Sequence, residues 1–473
     1  MKRRNFLSHA AYGVAGMAAL QLLQRDAAGQ ADAKGTSGLH HPARAKHVIH
    51  IFLGGGLSQV DSFDYKPELD KYHDKELPAE FGKAEPFMGK AGRLHRSHYA
   101  FKQRGESGLW MSDLFPSLND VADELTVINS MVAETANHTP GSFQANTGFR
   151  QMGFPAMGSW LSYGLGNEND NLPSFIVLPD ERGNPNPVGG SFSWSSGFLP
   201  PQHQGVPLNT KGGPPIPDLQ PASGLNADAQ QERFKLLAQL NEMHMETQAH
   251  TEPLAARIHS YELAARMQNA IPEAMDFSLE PQHIQELYGL DRDECRGTAR
   301  NCLAARRLIE RGVRTVQLWT GDGISWDAHE DITGNGYKSH TGEARRIDRP
   351  VAGLIRDLRQ RNLLDSTVVM ITTEFGRTPY AQAGSGKLSK GRDHHPDGFT
   401  NVLVGGGLKA GFAYGATDAI GYSSIENPVT TYDMHATILH LLGIDHERLT
   451  FYHNGIHRRL TNVHGHVLNE ILG

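Results

Sequence analysis

Cysteine is almost missing from this chain. Among 473 residues there are two, Cys295 and Cys302. They stand seven apart in a helical pattern, on one face but separated by a rise of about 10 Å, beyond the reach of a disulfide. The fold therefore does not depend on disulfides. Excess positive charge is also missing: 45 Lys and Arg face 52 Asp and Glu, for a net charge of −7. That excludes a basic field of the kind that holds nucleic acid. No stretch beyond the first two dozen residues is apolar enough to span a membrane, which needs roughly 20 apolar residues. Internal repeats and low-complexity tracts are absent as well. Histidine, by contrast, is abundant at 25, and much of it lies in the last third.

The chain opens MKRRNFLSHAAYGVAGMAALQLLQ. Arg3 and Arg4 precede Phe6, Leu7 and a weakly apolar run to about Leu23. An Ala-rich polar stretch follows. This is the plan of a signal peptide with paired arginines, read as a twin-arginine export signal. The competing reading, a membrane anchor, is disfavoured by the short, Gly- and Ala-rich run. No cysteine lies near the cleavage zone, which argues against a lipoprotein. Residues 1–33 are expected to be removed, and the mature protein is expected in the periplasm or outside the cell. The rest, 34–473, is about 440 residues, enough for one large or two ordinary domains.

Short apolar runs alternate with helical patterns. His47–Leu53, Leu125–Met131, Ser174–Pro179, Val313–Trp319, Ser366–Glu374 and Asn401–Gly407 read as buried strands. Thr298–Gly312, Arg345–Asn362 and Thr430–Gly443 read as helices. The alternation predicts an α/β fold with a central, mostly parallel sheet and helices on both faces. Within 183–270, a Gly-, Pro- and Ser-rich surface loop precedes a helical excursion. There Phe234, Leu237, Leu240 and Met243 recur at helical spacing and are expected to pack on the sheet domain.

Ligands of parallel sheets bind beyond the carboxyl ends of strands. Gly54-Gly55-Gly56 through Asp61 follow the first strand. Asp327-Ala328-His329 follows the strand at Val313. Glu374-Phe375-Gly376-Arg377 follows the strand at Ser366, and the loop SKGRDHHPDG (Ser389–Gly398) comes next. Pro396 and Gly398 keep that loop from being helical. In extended backbone, Asp327 and His329 point the same way and can share one ion. A carboxylate with imidazoles suits zinc, manganese or iron, whereas carboxylates alone suit calcium or magnesium. Singly, Asp327 reads as a helix cap and His329 as a surface histidine. At successive strand ends, Asp61, Asp327, His329, Glu374 and His394 read together as a candidate ligand set for a divalent metal. His394 and His395 should face opposite ways, one ligating and one touching substrate or a ligand's support. Arg377 and Arg392 are candidates for gripping a sulfate or phosphate ester, or else simple charge balance for Glu374 and Asp393.

Six ordered motifs carry a family resemblance: IFLGGGLSQVDSFDYKPELDKYH, NHTPGSFQANTGFRQMGFPAMGSWLSYGLG, WDAHED, TEFGRTP, GRDHHPDGFTNVLVGGG and LTNVHGHVLNEIL. From about residue 45 to the C-terminus, the chain resembles the secreted domain-of-unknown-function family 1501. That family is regarded as a branch of the alkaline phosphatase and sulfatase superfamily. The resemblance implies an α/β sandwich with metal held at strand ends. By the same carry-over Asp61 is the first-strand aspartate, Asp327 and His329 are ligands, Glu374 is the late acid, and His394 or His395 is the final histidine. The position after Glu374 departs from the superfamily plan, because Phe375 cannot ligate. The formylglycine chemistry of sulfatases needs a cysteine that is not there, since none precedes Cys295. The nucleophile expected instead is Thr139, at a helix N-terminus where N–H groups favour an anion. A Thr before Pro is equally an ordinary helix cap. Asn137 is a candidate substrate contact. His138 is a candidate ligand or acid–base group, and either His138 or His395 could protonate a leaving group. The expected activity is metal-dependent hydrolysis of sulfate or phosphate esters, on small molecules or polysaccharides. The alternative is a non-catalytic exported binding or scaffold protein. A metal oxidoreductase would fit the ligand types, but nothing in the strand pattern favours it.

Overall fold

The computed structural model describes residues 38–83, 85–87, 90–182, 189–217, 227–246, 252–321, 323–383 and 389–473. The signal-peptide expectation lies outside the described residues. Among the described residues nine strands form the central sheet: β1 (His47–Leu53), β2 (Leu125–Val132), β3 (Phe175–Leu178), β4 (Val206–Pro207), β5 (Thr315–Thr320), β6 (Thr367–Thr372), β7 (Phe399–Gly405), β8 (Phe412–Tyr414) and β9 (Val429–Thr430). Their order is β8-β2-β7-β6-β1-β5-β3-β4, with β9 also on β2. Strand β1 pairs in parallel with β5 and β6, and β3 continues the parallel set beside β5. Only β7 runs against its neighbours β6 and β2. The sheet is therefore mostly parallel, within an α/β protein.

Every residue of β1, β3, β5 and β6 is buried. That follows from cover on both faces, which parallel strands need. Side chains alternate between faces. Ile49, Ile51 and Leu53 of β1 join the larger core, under α5 (Arg296–Glu310) and α6 (His340–Gln360). Val48 points the other way, into a core with α2 (Met157–Leu165) and α7 (Thr431–Leu441). Leu303, Leu308, Val351 and Leu358 are fully covered. Each such side chain contributes about 1.5–3 kcal/mol by leaving water.

Local chemistry sets the helix ends. The Ser339 side chain caps α6 by accepting the Gly342 N–H. Thr430 and Asp433 exchange side-chain and backbone bonds to start α7. Helix α1 (His138–Thr147) begins at Asn137, whose side chain accepts from Thr139 N, and stops at left-handed Gly148.

The 183–270 stretch differs from expectation. Part of its loop joins the sheet as β4, with Trp194, Leu199 and Leu208 buried. In α3 (Ala227–Glu246), Phe234, Leu237, Leu240 and Met243 are exposed rather than packed. The next helix, α4 (Glu252–Met275), supplies the contacts with the core instead, through Met267, Ile271 and Ala274. Among the described residues no helix is long and apolar enough to cross a membrane.

Candidate metal centre

Neighbouring strands β5, β1 and β6 end side by side, so the loops that leave them meet. The glycine turn after β1 makes the approach close. Gly55 has φ +121°, and a Cβ there would stand 2.6 Å from Asp327 N and 2.7 Å from Trp326 N. Only glycine lets the two backbones touch in this way. The Gly54 carbonyl accepts from Trp326 N at 3.1 Å. His340, at the start of α6, accepts from Ser58 N at 2.8 Å and pins the same turn.

The SKGRDHHPDG loop is laid against the Asp327–Asp331 segment by main-chain bonds. Arg392 N donates to Ala328 O at 3.0 Å and Lys390 N to Glu330 O at 3.1 Å. The Ser389 hydroxyl donates to His329 O at 2.8 Å. The next residues, His394–His395, pair antiparallel with Gly376–Arg377. In that short extended pair the two histidines face opposite ways, as alternation requires. His394 enters the cluster. His395 instead stacks on Tyr422 with ring centroids 4.3 Å apart, and its Nε2 meets the Tyr422 carbonyl.

One oxygen is the focus of the cluster. Around Asp327 Oδ1 lie His329 Nε2 at 2.7 Å, His394 Nε2 at 3.0 Å, His138 Nε2 at 3.3 Å and Arg377 Nη2 at 2.7 Å. His329 Nε2 and His394 Nε2 are 2.9 Å apart. Adjacent donors on an ion with bonds near 2.1 Å are separated by roughly 3–3.4 Å. The outer nitrogens fix two tautomers. His394 Nδ1 lies 2.6 Å from the Ala136 carbonyl, so it must donate. His138 Nδ1 lies 2.7 Å from Glu374 Oε1 and donates likewise. Both Nε2 atoms then present lone pairs to the same place, and His138 Nε2 is buried without a hydrogen bond. A histidine whose far N–H is held by a carboxylate or carbonyl is how proteins orient metal ligands. His138, Asp327 and His394 bring one ligand atom each within 4.8 Å of one another.

The electrostatics agree with that geometry. Burial pushes the Asp327 carboxyl up, but the three imidazoles and Arg377 outweigh it and hold it well below the usual carboxylate range. Burial also disfavours a proton on His138, yet Asp327 and Glu374 prevail and raise its pKa. A field that favours a proton there favours a divalent cation too. Burial pushes His394 down to about 3, so it is a neutral donor. One carboxylate with two or three imidazoles fits zinc, manganese or iron.

The other sequence candidates are distributed as follows. Glu374 is wholly buried and stands behind His138, where its Oε1 also accepts the Gly55 N–H at 2.8 Å. Its Oε1 is thus shared between His138 Nδ1 and the Gly55 N–H. Asp61 lies apart from the cluster, bound to Arg392 Nε at 2.6 Å, the Ser58 hydroxyl at 2.6 Å and His98 N at 3.1 Å. Arg392 is fully buried, with its remaining donors on the carbonyls of Thr378, His95 and Arg96. Arg377 is equally buried, on the carbonyls of Gly55, Gly56 and Arg392 besides Asp327. Neither guanidinium has a free face for an anion. Asn137 and Thr139 are exposed at the start of α1, next to His138. Phe375, where the superfamily plan has a ligand, packs its ring 5.0 Å from His138 and 4.8 Å from His394.

Lys338 was not singled out by the sequence. Its Nζ is 3.0 Å from Asp327 Oδ2, and its backbone is left-handed, at φ +60°. No local pattern marks it, because lysine has no preference for that backbone region.

Fold and site together define an α/β protein with histidine and carboxylate side chains gathered at the strand ends of a mostly parallel sheet. Residues 45–472 match the family described as "Protein of unknown function (DUF1501)", and the chain belongs to it. No curated relative matches the sequence. Solved structures that resemble the chain include three bacterial proteins. A protein in the alkaline phosphatase superfamily from Vibrio parahaemolyticus is 12% identical, over 87% of this chain and 70% of that one, with a TM-score of 0.36. The phosphonate monoester hydrolase of Silicibacter pomeroyi is 9% identical, over 84% and 73%, with a TM-score of 0.36. The alkaline phosphatase of the Antarctic bacterium TAB5 is 10% identical, over 84% and 98%, with a TM-score of 0.34.

Proposed function

We propose that this protein is an exported, metal-dependent hydrolase of sulfate or phosphate esters that does not use formylglycine. One observation carries the reading. Imidazole nitrogens of His138, His329 and His394 converge on Asp327 Oδ1, and two of them have their outer N–H fixed by Glu374 and Ala136. His138, Asp327, His329 and His394 would hold the ion. A bound divalent ion supplies Lewis-acid polarisation of an ester oxygen. The chain's own part is positioning. Glu374 orients His138, and the backbone ladder between Ala328–Glu330 and Lys390–Arg392 sets His329 against His394. Thr139, exposed in the first turn of α1, is the candidate nucleophile, with water as the alternative. Arg377 and Arg392 hold the loops together, and His395 is spent on Tyr422.

The test is metal content by plasma mass spectrometry on mature protein made without a histidine tag, run beside turnover of aryl sulfate and aryl phosphate. About one equivalent of metal, lost together with turnover in Asp327→Ala and His394→Ala, is the expected result. A second reading, a non-catalytic binding protein, is favoured by the two occupied guanidiniums and by Phe375. Folded, metal-loaded protein without turnover of any ester would establish it in place of the first. Thr139→Ala with unchanged turnover assigns the attack to water.

A further inference from the structure

Both arginines expected to hold a substrate anion are buried and fully engaged. Neither guanidinium is therefore free to grip an incoming sulfate or phosphate, and a side-chain cation for that contact has to come from elsewhere. Among the described residues, the cations that touch Asp327 are Arg377 and Lys338. The Arg377 side chain is 0% exposed, whereas that of Lys338 is 40% exposed and so open to solvent on one side while it touches Asp327. We propose that Lys338 is the substrate-anion contact of this centre, its ammonium shared between Asp327 Oδ2 and an oxygen of a bound sulfate or phosphate group. This rests on the hydrolase reading given above.

Two features beyond the contact itself support the role. The first is backbone conformation. A lysine at φ +60° is rare, because a Cβ crowds the left-handed region. It persists where the surroundings fix it, and such residues gather at functional sites. Here the fixing elements are visible. The Ser339 hydroxyl donates to Gly336 O at 2.5 Å while also capping α6, and Gly342 N donates to Gly334 O at 3.2 Å. A Cβ on Gly342 would stand 2.6 Å from Gly336 O, so the turn is seated tightly on the helix start. The second is the division of labour at Asp327. Oδ1 takes the imidazoles and Arg377, and among the described residues Lys338 is the one that meets Oδ2. The ammonium is a compact charge on a flexible stem with three donors, able to keep one on Oδ2 and turn another to a ligand.

The experiment uses zinc-loaded protein and two probes, inorganic phosphate and inorganic sulfate, with affinities from calorimetry and zinc content measured in parallel. Lys338→Met is expected to keep its zinc and to bind the preferred anion roughly 10- to 100-fold more weakly, the size of a lost charge-assisted hydrogen bond. Lys338→Arg is expected to recover most of that loss. In ester turnover the Met variant should raise KM by a similar factor. The stronger of the two anions in wild type names the ester class. Unchanged anion affinity in Lys338→Met would overturn the assignment while leaving the hydrolase reading intact, provided wild type turns over an ester. Loss of zinc from Lys338→Met would also overturn it, since the residue would then only steady Asp327. Wild type that binds neither anion and hydrolyses no ester would remove the parent reading and this one together.

Discussion

Glu374→Gln isolates one charge in the candidate centre. Glu374 Oε1 accepts from His138 Nδ1 at 2.7 Å and from Gly55 N at 2.8 Å, and Oε2 accepts from the Thr373 hydroxyl at 3.2 Å. Glutamine reproduces the shape. Its carbonyl oxygen keeps both accepted bonds, and its amide can donate to the Thr373 oxygen while that hydroxyl donates to Leu53 O at 2.9 Å. What disappears is the negative charge behind His138. Removing a ligand's support costs about 10- to 100-fold in metal affinity, or about 1.4–2.7 kcal/mol. Glu374→Ala should do more. It leaves the Gly55 N–H and the His138 Nδ1–H buried without acceptors, at about 1–3 kcal/mol each, so folding suffers as well. The assay is a chelator-buffered zinc titration of metal-stripped protein, with urea unfolding of the metal-free form beside it. Glu374→Gln should weaken zinc binding with near-normal stability, and Glu374→Ala should lose both. Zinc affinity of Glu374→Gln within twofold of wild type, while His394→Ala loses zinc, would mean that His138 is not a ligand.

Three other outcomes are expected. His394→Ala should abolish metal binding, whereas His395→Phe should keep it, because His395 is stacked on Tyr422 and turned from the cluster; plasma mass spectrometry of the two variants decides this. His340 is wholly buried, and burial, then Arg377, lowers its pKa to about 3. The folded protein keeps it neutral while the unfolded chain takes a proton below about 6.5, so its stabilising contribution is lost as pH falls from 6.5 toward 3, at about 1.4 kcal/mol per pH unit. His340→Gln keeps an acceptor for Ser58 N and should flatten the acid limb of urea-unfolding stability by that amount; parallel limbs would count against it. Asp61 is pushed up by burial but brought down to about 2 by Arg392. Its contribution is therefore present above about pH 4 and lost as pH falls toward 2. Asp61→Asn should cost about 3–5 kcal/mol in chemical denaturation by leaving Arg392 buried and unpaired, with metal content unchanged in the folded fraction.

Much of the architecture was legible because it depends on short-range pattern. The apolar runs at His47, Thr315 and Thr367 are too continuous for exposed strands, and each ends in glycine or a carboxylate. Alternation of those runs with helical spacing implied the parallel sheet, and the parallel sheet implied the strand ends. That rule put forward Asp327, His329, Glu374, His394 and His395 together, without deciding which of the two adjacent histidines turns toward Asp327. The stripe at Phe234, Leu237, Leu240 and Met243 misled, because helical spacing shows which face is apolar and not what covers it. Those side chains are exposed, and α4 makes the contact with the core.

The chemical types of the site, histidine and carboxylate without cysteine, were decided by the sequence, since they depend only on which residues exist and on what lies near a strand end. Which nitrogen faces which oxygen was decided by tertiary structure. Arg392 and Asp61 are 331 positions apart and form a buried pair, so no local pattern could show that this arginine was already taken. Glu374 and His138 meet across 236 positions, which sets the Glu374 carboxylate against the outer nitrogen of His138. Lys338 reaches Asp327 only because a tight turn holds its backbone in a conformation that no propensity would assign to lysine. Sequence patterns carry the period of side chains along one element; pairing between distant charges is a property of how elements close on one another.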